Sequence, residues 1–537
     1  MTILPRSWRT RAGAGAAAVL TAFLIAACGG SSGSSASLPP LHPGIVGPES
    51  MVTEASGLIN NPTGDIAQLK ALGVDRVHIP LQWSHVAPDV TSTHKPAVDL
   101  ANPASYPASG WAPYDTVVKD LKAAHIGIDL AVTWAPPRWA EGKGAPHPAT
   151  QTEWEPSAAD YGDFVRAVAT RYSGHYTPPG ASTPLPRVNF WSIWNEPDLG
   201  ANLAPEVNKA GLMVAPRYYR AFADAAWTAF HATGHGRDTI LFGELAPAGI
   251  HSGTIGYFNS MPPLQFLRAL YCVDKNYKPL QGQAATEIGC PATATASAQF
   301  KARNPVLFHA SGVAYHPYPQ GLPPNQVTPN EPDYAELADT PTFEKALDRT
   351  QQAYGSTTKF PLWDTEFGYQ TTPPDPESGT VSQTTAARYM NWAEYIHWLD
   401  PRIRSYDQYL LMDPPAGNFA TGLMSPSGAP KPGYYAFRMP LYLPVTSTQK
   451  GHPLVVWGCV RPAPAAAKAA HKRQVVDIQY SSGSAGAFRT VQTVPLTNIH
   501  GYFEVRHTFP GSGTVRLAWT PPHGPQMFSR TVAITLR

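Results

Sequence analysis

Charge is what this chain has least of. Asp, Glu, Lys and Arg make up 15% of its 537 residues, and 40 basic side chains face 38 acidic ones. That balance leaves no electrostatic footprint for a nucleic acid. Cysteine is nearly absent, with four residues, too few for a scaffold built on disulfides. Past residue 27 no run is apolar enough to span a bilayer. No glycine-rich phosphate loop follows the first candidate strand, which argues against a doubly wound nucleotide-binding sheet. No Asp-x-Asp ligand run occurs, and neither a metal nor another cofactor is expected. What the chain has instead is 57 Pro, 14 Trp and 24 Tyr, a loop-rich and aromatic-rich composition. Its length exceeds a single core and calls for two domains.

The N-terminus reads as an export signal. Arg6, Arg9 and Arg11 precede an apolar run over 16–27, and Cys28 follows. Ile25-Ala26-Ala27-Cys28 resembles the bacterial lipobox. The resemblance implies a signal peptide over 1–28, lipidation of Cys28, and a mature protein held at the outer face of the cell membrane by lipid alone. The Gly/Ser tract that follows makes 29–44 a flexible tether. In an exported chain Cys272 and Cys290, 18 residues apart, can pair. Cys459 is left as a buried thiol in an apolar strand.

From 45 to 444 short apolar runs alternate with amphipathic helical stretches. Strands are expected within 44–53 and at 74–83, 126–134, 188–194, 239–245, 312–318, 361–369 and 403–412. Helices are expected at 65–72, 114–125, from 157 to 172, 217–233, 264–272, 342–354, 384–399 and 434–442. About eight β/α units of this kind predict a (β/α)8 barrel with insertions. Beyond 444 the pattern changes to alternating runs near 475–480, 488–494, 502–506, 515–519 and 532–536. These predict a small all-β sandwich over 445–537, with 462–471 as a loop.

Two stretches carry the chemistry. Residues 188–194 read as a buried strand that Pro197 must end, which leaves Asn195 and Glu196 at its carboxyl end. Residues 361–368 form a second strand ending in Glu366, 170 residues further on. In an eight-stranded barrel the fourth and seventh strands face each other across the mouth, where reactive groups sit. A pair of carboxyl groups there can flank one acetal carbon, and a separation near 5–5.5 Å gives retention of configuration.

These motifs resemble those of the clan A retaining glycoside hydrolases, most of all families 39 and 5. The resemblance covers about residues 45–444. It implies Glu196 as acid/base, Glu366 as nucleophile, and Asn195 as a hydrogen-bond partner of the sugar's 2-hydroxyl. Ala314-Tyr315-His316-Pro317-Tyr318 resembles the clan's sixth-strand pattern, in which the Tyr steadies the nucleophile. Two positions depart from the clan. His78 stands where an Arg is usual, with Arg76 on the same strand face, and either could support Glu366. The eighth strand offers Gln408 or Tyr409 in place of Trp. Trp83, Trp134 and Trp139 are candidate sugar platforms, and Glu244 is a possible hydroxyl contact without a catalytic role. The substrate implied is an oligo- or polysaccharide, handled by a monomer. A glycan-binding protein on a decayed barrel and a transglycosylase using the same residues are the alternatives.

Overall fold

The computed structural model describes residues 40–54, 56–146, 152–377, 379–483 and 486–537. The segment 1–28, with Cys28, and all but the last five residues of the 29–44 tether lie outside the described residues.

Eight parallel strands form the N-terminal unit: β1 (Glu49–Thr53), β2 (Arg76–Gln82), β3 (Gly127–Thr133), β4 (Phe190–Ile193), β5 (Thr239–Leu245), β6 (Gly312–Tyr315), β7 (Leu362–Asp364) and β8 (Ser405–Tyr406). Each pairs with its neighbour in sequence from β1 to β7, and β1 also pairs with β8. A parallel bridge between Leu362 and Ile403 closes the ring, with Arg404 N–H donating to Leu362 O at 2.9 Å. This is the (β/α)8 barrel expected from the alternation.

The helices begin and end where side-chain chemistry allows. Pro62–Leu72 is stopped by Gly73 at φ 75°, whose N–H bonds back to Leu69 and Lys70. Ser157 caps Ala158–Arg171 by accepting the Asp160 N–H. The helix expected at 434–442 ends at Arg438, because Pro440 disfavours helical geometry before it. Leu441–Tyr442 (β9) then pairs with Leu454–Cys459 (β11).

The C-terminal unit adds Ser447–Thr448 (β10), Val475–Ser481 (β12), Arg489–Pro495 (β13), Tyr502–His507 (β14), Gly513–Trp519 (β15), Met527–Phe528 (β16) and Val532–Leu536 (β17). One sheet runs β10-β17-β15-β12-β13 with β16 beside β15, and the other runs β14-β11-β9. Pairing is antiparallel except between β10 and β17. The expected loop over 462–471 is instead a helix, Ala463–Ala470. Alanine's high helix propensity and proline's tolerance in a first turn explain it.

The two units meet over a buried seam. Arg461 donates to Glu394 Oε1 at 2.5 Å, Tyr502 donates to the same oxygen at 2.8 Å, and Arg461 also reaches the Phe437 carbonyl. Tyr395 and Trp398 pack there against Trp457 and Tyr502. The Cys272–Cys290 disulfide forms and Cys459 is buried and free. No described helix is long and apolar enough to cross a membrane.

Candidate active site

β4 ends in a distorted backbone. Trp194 and Glu196 take φ values of 70° and 41°, a region that side chains larger than Asn rarely occupy. They are held there from both flanks. Trp194 N–H donates to Val132 O of β3 at 3.0 Å, and Glu196 N–H donates to Glu244 O of β5 at 2.8 Å. Trp194 itself is wholly buried against Tyr161 and Phe222. That anchor leaves Asn195 and Glu196 half-buried at the mouth.

Glu366 arrives from the opposite side, two residues past β7. One oxygen each of Glu196 and Glu366 and a ring nitrogen of His316 lie within 4.8 Å of one another. His316 Nδ1 is 2.9 Å from Glu196 Oε1 and 3.7 Å from Glu366 Oε2. Tyr318 donates its hydroxyl to Glu366 Oε2 at 3.1 Å. With its amide turned to satisfy both neighbours, Asn195 donates to Glu366 Oε1 at 3.2 Å and accepts from Trp134 Nε1 at 3.3 Å. Each oxygen of Glu366 thus has its own donor.

Burial pushes the Glu366 carboxyl up to about 7. The His316 charge pulls against that shift and the Glu196 charge adds to it. Burial pulls the His316 imidazole down, but the Glu366 charge and hydrogen bonds with Glu196 and Glu244 outweigh it and set it well above the usual histidine range.

The structure separates the two residues offered in place of the missing second-strand Arg. Arg76 sits at the amino end of β2, where it pairs with Glu49 at 2.5 Å and covers the Phe190 ring. It does not reach Glu366. His78, one pleat higher, points into the barrel, holds Asp129 Oδ2 through Nδ1 at 2.8 Å, and adds positive charge near Glu366 and Glu244.

Three other expected contacts are corrected. Gln408 is buried and spends its amide N–H groups on the carbonyls of Tyr409 and Thr421 at 2.8 and 2.7 Å. Tyr409 takes the position at the mouth, edge-on to Tyr318 and Phe419. Trp83 begins a short helix and is fully buried, stacked on Phe164. Trp139 donates to Pro88 O at 2.9 Å and packs edge-on against Trp83. Of the three tryptophans, Trp134 alone borders the carboxyl pair.

Glu244, expected as a hydroxyl contact, is instead fully buried near the end of β5, with Oε2 at 2.9 Å from His316 Nε2 and accepting from Thr365 Oγ1 at 2.8 Å. One feature went unread in the sequence. Beneath the mouth, Asp364 and Asp407 are buried acids raised well above the carboxylate range, chiefly by burial. The chain also has one His-x-x-x-His spacing, His231 and His235. Its rings are engaged: His235 with Asp238 and the Ala169 carbonyl, His231 with the Trp227 carbonyl.

No protein-family model matches the sequence, and no curated protein matches it. Among solved structures, the chain is similar to a family 39 glycoside hydrolase from the gut symbiont Bacteroides cellulosilyticus WH2. That match has 14% identity, covers 87% of this chain and 82% of that one, and has a TM-score of 0.45. It is also similar to a family 1 β-glucosidase from Thermotoga maritima, at 13% identity over 72% of this chain and 93% of that one, TM-score 0.42. A glucosidase from Croceicoccus marinus matches at 12% identity over 87% and 91%, TM-score 0.43.

Proposed function

We propose that the chain is a retaining glycoside hydrolase acting on an oligo- or polysaccharide. The observation that carries this reading is the approach of Glu196 and Glu366, with oxygens within 4.8 Å at the carboxyl ends of β4 and β7. Two carboxyl groups that close leave no room for an attacking water between acid and sugar, so the second must itself attack the anomeric carbon. Glu366, held by Tyr318 and Asn195, is the nucleophile. As its oxygen bonds to the sugar carbon, Glu196 gives its proton to the departing oxygen. Glu196 then takes a proton from the water that releases the sugar from Glu366. Trp134 and Tyr409 offer apolar walls for the sugar's C–H faces. Ile25-Ala26-Ala27-Cys28 supports a location at the outer face of the cell membrane, held by lipid.

The test is a screen of cell-wall and plant polysaccharides for new reducing ends, followed by proton NMR of the first anomer released. Retention supports the assignment. Inversion, or binding without cleavage, rejects it.

A further inference from the structure

The carboxyl pair is the visible end of a longer buried chain of alternating acids and imidazoles. Asp129 Oδ2 meets His78 Nδ1 at 2.8 Å, and one donor atom each of Asp129, His78 and Glu244 lie within 4.8 Å of one another. Glu244 Oε2 then meets His316 Nε2 at 2.9 Å, and His316 Nδ1 meets Glu196 Oε1 at 2.9 Å. His78, Asp129, Glu244 and His316 are all fully buried.

The geometry around His316 restricts its protonation state. Nε2 faces the ionised Glu244 carboxylate, which only accepts, and Nδ1 faces Oε1 of Glu196, which also accepts when the acid's proton sits on Oε2 for the leaving group. A neutral imidazole would satisfy one of them and turn its other lone pair onto the second oxygen. The cation donates to both. We propose that Glu244 is a positioning residue that, by accepting the Nε2–H of His316, fixes that ring as a cation whose Nδ1–H is held on Glu196 and whose charge keeps Glu366 ionised.

The backbone of Glu244 acts on the same group. Its carbonyl accepts the Glu196 N–H at 2.8 Å, so one residue sets both the main chain and the hydrogen-bond partner of the proton donor. Thr365 Oγ1, donating to Glu244 Oε2 at 2.8 Å, fixes the carboxylate's orientation. The other charged or titratable groups facing His316 are Asp198 beyond β4, Asp364 and Glu366 of the β7 segment, Asp407 beyond β8 and Tyr318 on its own segment. Burial pushes Asp198, Asp364 and Asp407 well up. Glu244 stands apart: burial raises it, but the hydrogen bond from His316 and the charges of His78 and His316 bring it below the usual range. It is therefore the anion on which the imidazolium rests from within the barrel.

This inference deepens the glycosidase reading but is tested first on the resting protein. Histidine labelled with nitrogen-15 reports whether each ring nitrogen carries a proton. In the wild type both nitrogens of His316, assigned against His316→Asn, should stay protonated from about pH 5 to pH 8. In Glu244→Gln the ring should lose a proton within that range, and Glu244→Asp should restore the cation at least in part. A His316 with one bare nitrogen in the wild type at pH 7 overturns the proposal, as does unchanged titration in Glu244→Gln. Should the Gln variant fail to fold, the wild-type spectrum still decides. The activity arm is the pH profile of kcat/KM. In Glu244→Gln the acidic limb should move upward by about one pH unit, a roughly tenfold loss near pH 6 with little change near pH 8. A uniform loss at all pH values would indicate misplacement without a change of charge and would reject the assigned role. Absence of any product from any glycan fails the glycosidase reading, while the spectra still report on His316.

Discussion

The Tyr318 hydroxyl donates to Oε2 of Glu366 at 3.1 Å, and that bond opposes the burial that would otherwise protonate the carboxyl. Glu366 stands near 7 because burial outweighs its favourable neighbours, and a nucleophile must be ionised. The acidic limb of kcat/KM should therefore have an apparent pKa near 7, a property of the coupled pair. Tyr318→Phe removes a hydrogen bond to an ionised group, about 1.5–3 kcal/mol. It should move that limb upward and lower kcat/KM by about 10- to 100-fold. An unmoved limb would mean the hydroxyl only fills space.

The two glutamates should fail in different ways. Glu366→Ala should be nearly inactive, with partial recovery on adding azide or formate, small anions that fit the vacated volume. Glu196→Gln should lose most activity on substrates with poor leaving groups and keep much of it on an activated aryl glycoside, where no proton is needed at departure. Equal losses on both substrates would remove Glu196 from the acid/base role.

Ionising Glu366 also carries a cost in stability. Its folded pKa, about 7, lies above the ordinary glutamate value of 4.5. The folded chain therefore binds the proton more tightly, and stability from this group declines as pH rises from about 4.5 to 7. Glu366→Gln removes that cost. It should be more stable than the wild type by roughly 1–3 kcal/mol at pH 8, with the gap closing near pH 4. Denaturant melts at the two pH values check this, and a gap of equal size at both would contradict it.

The seam between the units should be as sensitive as a core. Arg461 and Glu394 are nearly inaccessible to solvent, so Arg461→Ala leaves an uncompensated carboxylate beside a cavity. A loss of about 3–5 kcal/mol is expected, read by denaturant unfolding. A loss below about 1 kcal/mol would place the pair in contact with water.

Much of the fold was legible because its signals are local. β5 falls on the expected residues, and Gly73 and Ser157 mark helix ends by their chemistry alone. The helix Ala463–Ala470 was hidden by its prolines, which read as loop until they fall in a first turn. At the site, Glu196 and Glu366 could be read from strand ends, whereas depth could not. Arg76 and His78 share a face, but two residues of extended chain are about 7 Å of barrel height, enough to place one beside Glu49 and the other near Glu366. Gln408 and Tyr409 lie beyond a two-residue β8, where alternation no longer decides which side chain faces the mouth. Glu244 was visible as a strand-end acid. Its part depends on His316, 72 residues away in sequence, and no local pattern records that meeting.

The helix Gln383–Leu399 touches both ends of the molecule's business. Its His397 lies 3.6 Å from Asp364 of β7, while its Glu394, Tyr395 and Trp398 hold the C-terminal unit. The sheets after residue 444 therefore serve as a brace for the wall that carries Glu366, and a chain cut short at that point would bare Tyr395 and Trp398 and strip Glu394 of its cation. Heat or proteolysis that loosens the trailing unit should blunt the nucleophile before the rest of the barrel gives way.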